Sequence, residues 1–206
     1  MTAIQELRTA FGESAEMLPF DGSAILCRDF IASDRAGEIF DTLLRDTKGE
    51  GHDLVLFGKR IAEPRLSTWH SEAHISYRYS GSLRTPQPWT KLLESLRDEC
   101  SARTGAQFNA VFVNLYRDGA DGVGWHADNE PCNGPEPTIA SLSFGATRRF
   151  DLRHREGKET ISVQLDAGSL LVMSGLSQRA WVHQVPRSKR IKEPRINLTF
   201  RNVVNA

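Results

Sequence analysis

The sequence predicts a mainly β fold of the α+β class, in which antiparallel strands form a sandwich or a barrel. Two observations support this. From Thr138 onwards, short alternating segments recur with glycine or charged turns between them, which is typical of such folds. The amphipathic helices, by contrast, all lie before residue 105. With 206 residues, 39% of them hydrophobic, the chain suits one globular domain with a proper core.

The individual elements follow from the spacing of apolar residues and from turn signals. Helices are predicted over 4–11, over 33–46 with Ser33 or Asp34 as the cap, and within 86–104, where Gly105 is the stop signal. Strands are predicted at 24–27, 53–57, 75–79, 108–116, 139–144, 149–154, 160–165, 169–173, 181–185 and 195–203.

Composition and charge exclude several classes of protein. The net charge is zero and the pI is near 7.0, so no global basic field attracts a polyanion and any nucleic-acid contact must be local. Three cysteines without a Cys-x-x-Cys pair argue against a disulfide framework or a zinc cluster. No signal peptide or long apolar run is present, so we expect a soluble protein of the cytoplasm, or of the nucleus in a eukaryote, with no membrane contact.

A candidate metal site lies in the stretch from Gly124 to Glu130. His126 and Asp128 are two residues apart after an apolar strand, and residues at this spacing in a strand point to the same face. His183, in the predicted strand 181–185, is the third candidate ligand. Two histidines and one carboxylate leave coordination positions open, as in non-haem Fe(II) oxygenases. A His-x-Asp pair also occurs by chance, however, and a strand histidine is more often a packing residue.

A second motif near the C-terminus favours the metal site. Arg195, Asn197, Thr199 and Arg201 recur at every second position and therefore share one face of a strand. Two arginines that face into a barrel are costly unless an anion meets them. Guanidinium groups bind carboxylates through two parallel hydrogen bonds, so a small dicarboxylate is the natural partner. The alternative is an exposed edge strand whose arginines pair with acidic side chains.

With these motifs the sequence resembles the AlkB-type Fe(II)- and 2-oxoglutarate-dependent dioxygenases, which remove alkyl groups from nucleic-acid bases. Asn114-Leu115-Tyr116 and Ser141-Leu142-Ser143-Phe144-Gly145 extend the resemblance, which runs from about residue 20 to the end and is closest to the animal branch that acts on duplex DNA. It implies a double-stranded β-helix, or jelly roll, with N-terminal helices packed on one sheet. The single domain 1–206 then has a helical and nucleotide-recognition region, about 1–105, and a catalytic jelly-roll core, about 106–206.

The resemblance also implies a role for each motif. Fe(II) would be held by His126, Asp128 and His183, with 2-oxoglutarate and O2 as co-substrates. Arg195 would hold the distal carboxylate of 2-oxoglutarate, and Arg201 would lie nearer the metal. The implied co-substrate residues are Asn114, Tyr116, Arg195, Asn197, Thr199 and Arg201.

Residues that match the family's substrate contacts have simpler interpretations as well. Phe57, at an apolar turn tip, matches a finger that enters the base stack, but such an aromatic is equally often packed in its own domain. Tyr79 would stack on the flipped base with Tyr77 beside it, although strand tyrosines are usually packing residues. Glu130 would face a cationic base, although a loop glutamate is normally solvated. The implied substrate residues are Leu56, Phe57, Gly58, Arg65, Tyr77, Tyr79 and Glu130.

These implications lead to one expected function and two alternatives. We expect a monomeric enzyme that repairs N1-methyladenine and N3-methylcytosine in duplex and single-stranded DNA by oxidative demethylation. The alternatives are a 2-oxoglutarate dioxygenase of RNA or of a small substrate, and a non-catalytic module that binds damaged DNA. Two basic clusters, 148–155 and 187–192, are expected to be solvated unless they line the rim of the pocket and contact phosphates.

Overall fold

Two antiparallel sheets pack face to face in this computed structural model, which describes residues 16–46, 53–56, 59–62, 64–75, 77–79, 82–157 and 159–204. The larger sheet contains, in order, β1 (Ser23–Cys27), β12 (Leu170–Ser174), β9 (Ile139–Gly145), β14 (Arg195–Arg201), β7 (Ala110–Tyr116) and β4 (Leu66–Ser71). The smaller sheet contains β11 (Thr160–Leu165), β10 (Arg148–His154), β13 (Trp181–Val185) and β8 (Val123–His126). The predicted sandwich is therefore confirmed.

The remaining elements are two hairpins and a few helices. The hairpins pair β2 (Asp53–Leu56) with β3 (Lys59–Ala62) and β5 (Tyr77–Tyr79) with β6 (Ser82–Arg84). The helices are α1 (Ser33–Asp46), α2 (Lys91–Thr104), α3 (Ser177–Ala180) and a 3-10 turn at Pro131–Asn133. The helix predicted over 4–11 lies outside the described residues. Among the described residues, no helix is long and apolar enough to cross a bilayer.

Strand β14 lies between β9 and β7 and is buried on both faces. Its odd-numbered residues face the smaller sheet and its even-numbered residues face the helices, because side chains alternate along a strand. Ile196, Leu198 and Phe200 are fully buried in the core between the larger sheet and the two long helices. The inward face carries the four polar residues of the Arg195 to Arg201 motif. The strand thus joins the scaffold to the space between the sheets.

The long helices pack on the outer face of the larger sheet. Helix α1 buries Ala36, Ile39 and Leu43, which are spaced to lie on one side of a helix, and contacts β9 and β14. Helix α2 starts after Thr90, whose side chain accepts the Leu93 N–H at 3.2 Å. It ends as predicted at Gly105, which adopts the left-handed conformation. The helices therefore cover the outer face of the larger sheet, and its inner face lines the cavity between the sheets.

The first 105 residues contribute more to the sandwich than the sequence indicated. Strands β1 and β4 form the two edges of the larger sheet, so this sheet contains strands from both predicted regions, about 1–105 and about 106–206. Strand β4 was not predicted, because the residues that it buries are the polar Ser67 and Ser71 on either side of Trp69. It pairs with β7 along six residues and covers that strand's outer edge.

One predicted surface charge is buried. Arg148, expected to be solvated with its basic neighbours, is only 1% exposed. Its guanidinium donates to the main-chain oxygens of Asp118 at 3.1 Å, Asp121 at 2.8 Å and Pro186 at 3.0 Å. Alternation along β10 separates Arg148 from Arg149, which faces solvent. Arg148 therefore ties the loop after β7 and the loop after β13 to the smaller sheet.

We predict that Arg148→Ala lowers the free energy of unfolding by about 3 kcal/mol, because three buried carbonyl oxygens lose their donor. Arg149→Ala is the matched control on the adjacent residue of β10. It should cost clearly less, because Arg149 is itself exposed and the buried Asp151 that it pairs with keeps hydrogen bonds from Ser162 and Gln184. Urea denaturation measures both, and equal losses would contradict the structural role of Arg148.

Candidate active site

The three predicted metal ligands converge between the sheets. His126 on β8 lies directly opposite His183 on β13 in the register of the smaller sheet. One ligand atom from each of these residues and one carboxylate oxygen of Asp128 lie within 4.8 Å of one another. Strand β8 ends at His126, however, so Asp128 does not belong to it. The residues meet as expected, but strand alternation does not place the carboxylate.

The hydrogen bond of His126 leaves its other ring nitrogen free for a metal ion. The Nδ1 atom of His126 lies 2.8 Å from the main-chain oxygen of Gly124, and since this oxygen can only accept, Nδ1 carries the proton. The Nε2 lone pair then remains available, which is the usual arrangement of a metal-binding histidine. The His183 ring stacks on Phe150 with its centroid 5.3 Å away, and its Nε2 atom lies 4.0 Å from Asp128 Oδ2.

The site is electrostatically prepared to bind a cation. Burial, followed by the neighbouring His126, lowers the pKa of His183 to about 3, and burial also lowers the pKa of His126. Burial alone would raise the pKa of Asp128, but Arg201 and the two histidines hold it at about 2. Both imidazoles are therefore neutral and the carboxylate is ionised at neutral pH. A divalent cation requires its ligands in these states, so the donor set fits Fe(II).

Arg201 and Arg195 occupy different positions relative to these ligands. The Nη2 atom of Arg201 lies 3.3 Å from Asp128 Oδ2, so Arg201 is at the metal end of the site. Arg195 is 1% exposed and donates through Nη2 to Ser143 Oγ at 2.9 Å. Its Nε and Nη1 atoms have no hydrogen-bond partner in the described part of the chain. Burial lowers the pKa of Arg195 to about 10, so the group remains charged at neutral pH.

The ring of Tyr116 is held between two guanidinium groups. The Cζ atom of Arg195 lies 5.2 Å from the ring centroid, and that of Arg148 lies 5.4 Å from it. Such cation–π contacts restrict the position of the ring. Two unused guanidinium donors beside a fixed phenol are the groups that a carboxylate needs. This end of the site fits the distal carboxylate of 2-oxoglutarate.

One cavity connects the two ends. All nine predicted metal and co-substrate residues line it, together with Arg65. Sequence reasoning missed several of the lining residues, although their inward positions in alternating strands could have indicated them. The missed residues are Phe112, Val123, Ser141, Phe150, Met173 and Val185.

Three of the predicted co-substrate side chains already have partners within the protein. Asn114 Oδ1 accepts from Arg65 Nε at 2.9 Å. Asn197 donates to Ser141 Oγ at 2.8 Å and to the Leu142 oxygen at 3.1 Å, and its Oδ1 accepts from Thr199 at 3.0 Å. These groups shape the cavity wall, whereas Arg195 retains free donors.

The structure describes only some of the predicted substrate residues. Leu56 ends β2, and Phe57 and Gly58, which follow it, lie outside the described residues. Tyr77 and Tyr79 are the first and last residues of β5, whose side chains are not described. The two remaining residues lie near the metal ligands. Arg65 is buried in the cavity wall, and Glu130 precedes the 3-10 turn, where it accepts a hydrogen bond from Asn133 at 3.0 Å.

Comparisons with known proteins identify the family of the chain. A sequence model of the 2OG-Fe(II) oxygenase superfamily matches residues 23–201. The chain is 39% identical to the alpha-ketoglutarate-dependent dioxygenase alkB homolog 3 of Bos taurus over 86% of this chain, but spans only 65% of that protein's length. It is 37% identical to the DNA oxidative demethylase ALKBH2 of Homo sapiens, over 82% of this chain and 69% of the relative.

A solved structure described as OsALKBH1 has the same fold. It superposes with a TM-score of 0.66 at 18% identity, over 91% of this chain and 99% of that chain. The predicted mainly β jelly roll is thereby confirmed.

We predict that His126→Ala weakens binding of Co(II), an air-stable substitute for Fe(II), by more than about a hundredfold, the upper range for losing an outer-shell partner. The reason is that one of three converging ligand atoms is removed while the strand remains paired. Ala127→Ser is the matched control, because residue 127 offers no ligand to the triad. Co(II) titration followed by visible absorption measures both, and unchanged affinity in His126→Ala would exclude the triad.

Proposed function

The chain belongs to the 2OG-Fe(II) oxygenase superfamily, in its AlkB-type branch, and we propose that it is an oxidative demethylase of alkylated DNA bases. One observation carries the proposal: a His-Asp-His triad and a buried arginine with two unused donors line the same cavity. A protein that only bound damaged DNA would have no need of both. Similarity to ALKBH2 of Homo sapiens, a DNA oxidative demethylase, supports DNA as the substrate class.

Different residues along the cavity bind the metal ion and the co-substrate. His126, Asp128 and His183 hold Fe(II), and Arg195 binds the distal carboxylate of 2-oxoglutarate, with Tyr116 beside it. When bound, Fe(II), 2-oxoglutarate and O2 would supply the oxidation, in which 2-oxoglutarate becomes succinate and carbon dioxide and the N-methyl carbon is hydroxylated, so that it leaves as formaldehyde and the base is restored. Arg201 keeps Asp128 ionised, and the neutral histidines accept no competing proton at neutral pH. The protein thus supplies orientation and charge.

The proposed lesions are N1-methyladenine and N3-methylcytosine. A methyl group on the Watson–Crick edge weakens pairing, so extruding the base costs less than extruding an intact one. Such bases are cationic, and Glu130 in the loop that follows Asp128 is our candidate for a complementary charge. We assign Tyr77 and Tyr79 to stacking and hydrogen bonding of the extruded base. Arg65, fixed by Asn114 in the cavity wall, is the candidate basic contact.

We propose that the contact with the nucleic acid is local and that the protein acts as a monomer on duplex or single-stranded DNA. Lys189 and Arg190, both exposed on the loop between β13 and β14, are the candidate phosphate contacts. Binding that depends on a few such charges should weaken with salt. The assay that tests the proposed function supplies Fe(II), 2-oxoglutarate and one methylated oligonucleotide as single strand, duplex or RNA, and follows loss of the methyl mass. No loss on any substrate would refute it, and loss on RNA alone would move the substrate to RNA.

In this assay, Arg195→Lys should raise the KM for 2-oxoglutarate about tenfold to a hundredfold, if about 1.4–3 kcal/mol of binding is lost. Lysine keeps the charge but cannot form two parallel hydrogen bonds with one carboxylate. Arg149→Lys, an exposed arginine on the outer face of β10, is the control and should leave the KM unchanged. An unaltered KM in Arg195→Lys would place the carboxylate site elsewhere.

Phe57 tests whether the enzyme acts on duplexes. Extruding a base leaves a gap in the stack that costs a few kcal/mol unless an apolar group fills it. Phe57→Ala should therefore slow repair in a duplex and largely spare the same base in a single strand. The ratio of the two rates is measured, so a folding defect shows itself by lowering both together. Equal loss on the two substrates would make Phe57 a packing residue, and no loss on either would refute the finger assignment.

A further inference from the structure

The main chain of Asp128 is held by side chains rather than by a neighbouring strand. Strand β8 ends two residues earlier, so the main chain of Asp128 has no ladder partner. Two side-chain amides take the place of the ladder. The Asp128 N–H donates to Gln178 Oε1 at 2.9 Å, and the Asp128 oxygen accepts from Asn133 Nδ2 at 3.3 Å. Asn133 is a local partner five residues away, whereas Gln178 comes from a distant part of the chain.

The surroundings of Gln178 allow only one orientation of its amide. Its side chain is 1% exposed, and its Nε2 atom donates to Met173 Sδ at 3.5 Å and to Ser177 Oγ at 3.3 Å. A main-chain N–H can only donate, so the amide oxygen must face Asp128. The amide nitrogen then meets a sulfur and a hydroxyl that can both accept. The Gln178 amide therefore makes three hydrogen bonds, to Asp128, Met173 and Ser177, which fix its position.

Gln178 also connects Asp128 to the element that carries His183. It lies on α3, which ends at Ala180 and leads directly into β13 at Trp181. Helix α3 contacts both β12 and β13. A shift of the loop after β8 relative to β13 would have to break the bond between Gln178 and Asp128. This bond thus fixes the distance between two of the three metal ligands.

We propose that Gln178 is a positioning residue of the metal centre, which holds Asp128 in register with His183. The proposal rests on the proposed function, because it assumes that the triad binds Fe(II). Loss of an outer-shell partner typically costs ten- to a hundredfold in metal affinity. Gln178 acts on the main chain of its ligand rather than on the ligating oxygen, so we expect the lower end, about tenfold.

Gln178→Met tests this role, because methionine fills a similar volume and has no oxygen to accept the Asp128 N–H. The apparent Kd for Co(II), from visible absorption, should rise about tenfold. Gln184→Met is the matched control. Gln184 is on the outer side of β13 next to His183, and its amide donates at 3.0 Å to Asp151, away from the cavity. It should retain the wild-type Co(II) affinity.

A second readout separates positioning from general damage. In Gln178→Met the demethylation rate should fall at limiting Fe(II) and recover at saturating Fe(II), while the KM for 2-oxoglutarate stays unchanged because Arg195 is untouched. If Gln178→Met does not fold, Gln178→Asn carries the same expectation, since its amide is one methylene too short to reach Asp128.

The possible outcomes are distinct. Unchanged Co(II) affinity in the Gln178 variant would overturn the positioning role alone. Equal weakening in the Gln178 and Gln184 variants would also overturn it, since the effect would then be a general loosening of β13. A wild-type protein that binds no Co(II) would instead refute the metal centre, and with it the proposed function.

Discussion

The burial of two guanidinium groups on the inner face of β14 is the constraint on which the site depends. A charged group between two packed sheets loses its hydration and must recover it from other charges or hydrogen bonds. Arg201 does so at Asp128, 3.3 Å away. Arg195 makes one bond to Ser143 and keeps two donors unsatisfied among the described residues. The fold therefore contains a charged group whose solvation is incomplete without an anionic ligand.

The same constraint explains the electrostatics of the metal ligands. Burial opposes charge on all three, yet Asp128 stays ionised because the charged Arg201 lies beside it, and His183 stays neutral with a pKa of about 3. One arginine thus prepares the carboxylate for a cation and the other prepares the opposite end of the cavity for an anion. Both arginines belong to the same face of one strand, so β14 carries the groups for both ends of the cavity.

Around this strand, side chains from distant elements form hydrogen bonds with loop residues that lie outside both sheets. Gln178 fixes the main chain of Asp128, and Arg148 ties two loops to the smaller sheet while it supports the ring of Tyr116. Each of these side chains is buried and uses most of its hydrogen-bonding groups. A site assembled from loops and strand ends gains its rigidity from such contacts, since geometry within about 0.5 Å is required of catalytic groups.

The sequence by itself determined the polar face of β14, the His126, Asp128 and His183 set, and the helices that cover the larger sheet. The polar face and the helices follow from alternation and helical spacing, which are local properties of the chain, whereas Asp128 lies beyond the end of β8 and its place follows from neither. Only the tertiary structure decided how Asp128 is held, that Arg148 is buried rather than solvated, and that Asn114 is engaged by Arg65. Such pairings join residues far apart in sequence, and a side chain's partner depends on how the sheets pack, which no local pattern records.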